Sequence, residues 1–132
     1  MTIATAYWCI LIAALLPYVW VYVAKTAAPK YNNMNPRAWV AKQTDNYKLQ
    51  RAYNAHLNAL EAFAPFAAGV LMAQFAGVAD GTIAGLAIAF VALRVLHGVL
   101  YLANAALLRS LVWLGSFGCA IALIALAALA AA

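Results

Sequence analysis

Charge is what this sequence has least of. Eight Lys and Arg and three Asp and Glu make up only 8% of its 132 residues, where a soluble globular domain carries roughly 25%. With 69% apolar residues, the chain lacks the polar surface that would keep it in water. An integral membrane protein of one domain follows. Cysteine is nearly absent too. Cys9 and Cys119 both sit inside apolar runs, so neither a disulfide framework nor a metal site is expected. There is no serine triad, no phosphate-binding glycine loop and no Cys-x-x-Cys, which removes the chemistries those motifs carry.

The charges that are present are not scattered. The formal charge is +5, and Lys25, Lys30, Arg37, Lys42, Lys48 and Arg51 fall in one segment between apolar runs. Only Arg94 and Arg109 lie elsewhere. A basic balance concentrated this way is a topology signal and not a nucleic-acid surface. Ile3–Ala24 is uncharged. It is too long for a signal peptide and long enough to span a bilayer.

Hydropathy and breakers divide the chain into four membrane helices, at about 2–25, 48–79, 82–106 and 110–132, with a basic loop at 26–47. Pro17 lies inside the first helix, and Tyr18, Trp20 and Tyr22 near its basic end read as interface anchors. In the loop, Pro36 opens a short helical stretch through Trp39 and Val40 that is expected at the membrane surface. Gly115 and Gly118 in the last helix would let a neighbouring backbone come close. Four spans put both termini on one side. The rule that basic loops stay inside makes the loop cytoplasmic.

The polar residues inside the spans form a seam. Arg51, Asn54, Asn58, Glu61 and Pro65 follow one another at spacings of three and four, on one face of the second helix. Arg94, His97 and Tyr101 do the same on the third, with Asn104 one turn on. Arg109 and Ser110 stand where the third helix hands over to the fourth. A charge as deep as Arg94 needs a partner or a pocket. Glu61 is the expected partner. Arginine forks suit carboxylates, and an Asn or Glu holds an amide or ammonium. The seam thus fits a small zwitterionic, peptide-like anion.

These residues resemble the MAPEG family (membrane-associated proteins in eicosanoid and glutathione metabolism). The second-helix pattern is similar to the family's Arg-x-Tyr…Asn-x-x-Glu followed by Pro, here Arg51, Tyr53, Asn58, Glu61 and Pro65. The third-helix pattern Arg-x-x-His-x-x-x-Tyr is met by Arg94, His97 and Tyr101, followed by Arg109 and Ser110. Asn54 stands where the best-known members carry a second arginine.

The resemblance implies an all-α bundle of four transmembrane helices assembled as a homotrimer in a bacterial inner membrane. Glutathione would be bound between subunits, and a lipophilic electrophile would arrive from the lipid bilayer. It implies that Asn58, Glu61, His97 and Tyr101 line the glutathione site, together with Arg94, and that Arg51 contributes at the rim. Arg109 would stabilise the thiolate, with Ser110 beside it. The activity implied is a glutathione-dependent transferase or peroxidase. The alternative is an inactive subunit of a larger membrane complex, or a protein that binds lipid or quinone. A small multidrug transporter would need an acid in the first helix, which has none.

Overall fold

The computed structural model describes every residue from Met1 to Ala132. It contains only helices and their connections. α1 spans Ile3–Thr26, α2 Pro36–Ala41, α3 Tyr47–Phe75, α4 Asp80–Leu102 and α5 Ala106–Ala131. All but the short α2 are long and apolar enough to cross a membrane. α3 has 29 residues, about 43 Å at 1.5 Å per residue. That exceeds the roughly 30 Å of a hydrocarbon core, so its polar first turns belong outside the acyl chains.

α3 and α4 form the centre of the bundle. They pack on each other, and each also packs on α1 and on α5. Between them Phe66 stacks on Phe90, with centroids 3.9 Å apart and planes 6° apart. Most of the remaining core is small: Ala6, Ala13, Ala73, Ala87, Ala120 and Ala127 are all buried. Small side chains let helix backbones approach closely, which is how apolar helices gain packing energy in lipid. Both cysteines are free, Cys9 buried and Cys119 half-buried.

The tightest approach joins α1 to α4. A Cβ added to Gly98 would fall inside the indole of Trp20. Trp20 is accordingly buried and is not the interface anchor that its neighbours suggested. Tyr18 and Tyr22 are exposed and remain suited to that role. In α5, Gly115 meets only the side chain of Leu93, and Gly118 faces open space.

The turns fall earlier than the hydropathy suggests. α3 stops at Phe75, with Gly77 at φ 84° in the turn that follows. Asp80 then opens α4, and its Oδ2 accepts from the Ile3 backbone N–H at 3.3 Å. The Tyr7 hydroxyl donates to Gln74 Oε1 on the same side. α4 ends at Leu102, and Asn104 adopts φ 57° in the turn. Asn104 therefore does not continue the helical line of Arg94, His97 and Tyr101.

The basic connection is folded onto the bundle. Trp39 and Val40 of α2 are buried with Ala24, Leu49 and Ala52. They pack on the protein itself, against α1 and α3. Tyr31 meets Trp39 edge-on at 5.1 Å, and Lys25 lies 5.0 Å above the Tyr31 ring. Asn46 caps α3 by accepting from Leu49 N–H at 3.0 Å, and its Nδ2 donates to the Ala27 carbonyl at 3.1 Å. One asparagine thus satisfies a helix start and pins the connection. Gln50 adds two bonds of 3.0 Å, to the Val40 and Gln43 carbonyls.

Candidate functional site

Helix periodicity on α3 and α4 puts the two polar lines against each other near the basic end of the bundle. Arg94 is the deepest charge, only 3% exposed. Its Nη2 donates to Asn58 Oδ1 at 2.7 Å. Its Nη1 reaches Ser116 Oγ at 3.5 Å. Nε is buried without a partner. The Ser116 hydroxyl donates to the Trp113 carbonyl at 3.0 Å. A chain of polar contacts therefore runs from α5 through α4 to α3.

The expected Arg94–Glu61 ion pair does not form. Counted from the ends Phe75 and Asp80, Glu61 and Arg94 are both 14 residues deep. The long arginine side chain passes that level and meets Asn58, one turn closer to the basic end. Glu61 makes no ion pair and stays exposed.

Two cavities flank Asn58. The first, about 310 Å³, is lined by Asn58, His97, Tyr101, Arg109, Ser110 and Trp113. The guanidinium of Arg109 sits 4.4 Å from the centroid of the Tyr101 ring, a cation–π contact that holds it over the cavity. His97, itself buried, meets Tyr101 nearly edge-on at 5.6 Å. The second cavity, about 110 Å³, lies deeper. Its polar residues are Asn58, Glu61, Arg94 and Ser116, and Phe90, Trp113 and Phe117 are among its apolar walls. Trp113 and Phe117 stack at 5.1 Å. Asn58 and Trp113 belong to both cavities.

The structure thus brings Asn58, His97, Tyr101, Arg109 and Ser110 into one cavity and Asn58, Glu61 and Arg94 into the next. Arg51 lies outside both. Its Nη1 donates to the Leu102 carbonyl at the end of α4, at 3.5 Å. Trp113 and Ser116 were not singled out from the sequence. Their spacing from Arg109, four and then three, was the available signal. It was hidden because α5 reads as a run of small packing residues. On the opposite side of α3, His56 Nδ1 lies 2.8 Å from the Pro17 carbonyl. A carbonyl only accepts, so Nδ1 carries the proton. No three His, Cys, Asp or Glu side chains gather as a metal site would require.

Sequence comparison settles the ancestry. The family model of the MAPEG family matches residues 5–129, nearly the whole chain. The chain belongs to the MAPEG family. No curated protein and no solved structure gives a significant match. Membership places this MAPEG protein, in general terms, among the membrane proteins of glutathione and eicosanoid metabolism. Among the motif residues resembling the family, Asn58 and Arg94 meet across α3 and α4.

Proposed function

We propose that this MAPEG protein is a glutathione-dependent transferase or peroxidase acting on a lipophilic electrophile. The observation that carries the reading is the convergence of Asn58, His97, Tyr101, Arg109 and Ser110 on one cavity beside a cation. Glutathione is a peptide-like anion, and this lining is polar with a guanidinium at its edge. A cysteine thiol ionises near pH 8.5 in water, and an adjacent cation favours the thiolate. Arg109 would supply that cation and Ser110 a hydroxyl beside it. The apolar co-substrate would arrive from the acyl chains, since much of the bundle exterior is apolar.

A homotrimer belongs to the same proposal. Asn54 and Glu61 are exposed on α3, and Glu61 lies deep in a span. An ionisable group facing acyl chains at mid-depth costs about 2.5–3.5 kcal/mol on insertion scales. A second copy covering that face would remove the cost and close glutathione between subunits. The basic connection would then lie on the cytoplasmic side of a bacterial inner membrane, with both termini opposite.

Isothermal titration of glutathione into the protein in lipid nanodiscs tests the reading. Saturation in the millimolar range or tighter is expected, together with conjugation of chlorodinitrobenzene. No heat at millimolar glutathione would overturn it. Arg109→Ala should lower turnover by about 10²-fold and leave the assembled mass unchanged.

One observation favours a second reading. Asn54 replaces a family arginine, and the loss of one charge-assisted bond weakens an anion by about 1.5–3 kcal/mol. An inactive subunit of a larger membrane complex, or a lipid- or quinone-binding protein, would bind no glutathione in that titration.

A further inference from the structure

We infer that Arg94 is a positioning residue. It fixes the side-chain amide of Asn58 so that its N–H₂ group faces the cavities as a donor, and a ligand must present an acceptor there. The inference deepens the glutathione reading and rests on it for the identity of the ligand.

The direction of the amide follows from chemistry. A guanidinium has five donors and no acceptor. The Asn58 atom 2.7 Å from Arg94 Nη2 must therefore be the carbonyl oxygen, however the amide is drawn. Flipping it would set two N–H donors against each other in a buried place. The remaining end, Nδ2, makes no hydrogen bond within the chain, although Asn58 lines both cavities. Arg94 is itself held. The single Ser116 hydrogen goes to the Trp113 carbonyl, so Ser116 Oγ faces Arg94 Nη1 only as an acceptor.

The guanidinium is 3% exposed and lines the second cavity but not the first, so in the first it acts on a ligand through Asn58. One turn further along α3, the exposed Glu61 is an acceptor. Donor and acceptor three residues apart on one helix face suit an amide group, whose carbonyl and N–H they complement. A thiol peptide contains such groups, and a simple alkyl thiol does not.

The test compares Arg94→Leu, Arg94→Lys, Asn58→Ala, Asn58→Asp and the double variant Arg94→Leu/Asn58→Ala. In Arg94→Leu the KM for glutathione should rise about tenfold, with kcat within a factor of two. The KM for β-mercaptoethanol, a thiol without an amide, should not move. Arg94→Lys keeps a donor and should recover part of the loss. Asn58→Asp keeps a partner for Arg94, so the chain should assemble, but it has no N–H₂ and should lose glutathione as Asn58→Ala does. The double variant should be no worse than Asn58→Ala alone.

If Arg94→Leu costs the same factor with and without Asn58, the arginine acts independently and the inference is wrong. A second measurement needs no glutathione. The Asn58 side-chain N–H₂ signals in ¹⁵N-correlated spectra of the ligand-free protein should relax as a rigid group, and as a mobile one in Arg94→Leu. Unchanged signals would overturn the inference. Normal spectra without glutathione binding would instead overturn only the proposed function.

Discussion

At the scale of single residues, hydrogen-bonding capacity decides more than charge does. Arg94 and Glu61 carry opposite charges and lie equally deep, yet the arginine bonds to a neutral amide. That both lie well inside a span was legible from the sequence. Which of Asn58 and Glu61 the guanidinium would reach was not, because inter-helix facing depends on packing that no linear spacing records. Ser116 is the least conspicuous member of the group. Its contact to Arg94 is long, 3.5 Å, and polar contacts between membrane helices average only about 0.6 kcal/mol. Ser116→Ala should therefore cost less than about 1 kcal/mol in a reversible unfolding titration. Loss of the folded state would show that the chain from α5 to α3 carries far more.

At the scale of elements, existence was easy to read and ends were not. Four apolar runs separated by breakers give four helices, because in lipid each span must satisfy its own backbone. The end of α3 was placed late because Val78 and Ala79 continue the apolar run. Gly77, at φ 84°, was the better signal, since a residue without Cβ takes that conformation at no cost. The basic connection was harder. Its composition reads as loop, but buried Trp39 and Val40 fold it onto α1 and α3.

The α1–α4 contact makes a sharp prediction at this scale. Gly98→Ala places a Cβ inside the Trp20 ring, and overpacking costs typically 1–3 kcal/mol, occasionally more. The variant should unfold at lower temperature by differential scanning fluorimetry. Trp20→Leu in the same chain should recover part of the loss. Phe90→Ala, which removes the ring stacked on Phe66, should cost about 3–5 kcal/mol by leaving a cavity.

At the scale of the whole molecule, the chain is thin for what it carries. Only 28 of 132 residues are buried, because four helices with a largely alanine core have little interior. The outward faces are mostly apolar and suited to lipid, except along α3, where Asn54 and Glu61 are uncovered. Native mass spectrometry from detergent should give three chains. Glu61→Gln should leave that mass unchanged and weaken glutathione. A monomer that still binds glutathione would contradict the shared site. The family pattern pointed to these residues from the sequence. The cavities between them became visible only once α3, α4 and α5 were set side by side.

The contact between Trp20 and Gly98 also has a historical consequence. Neither position tolerates change alone: a side chain at 98 has no room while the indole stands, and a smaller residue at 20 leaves a void while the glycine stands. Lineages should cross between size combinations by paired replacement, so positions 20 and 98 should covary among related sequences. Related chains that retain the tryptophan while carrying leucine or isoleucine at 98 would refute that expectation.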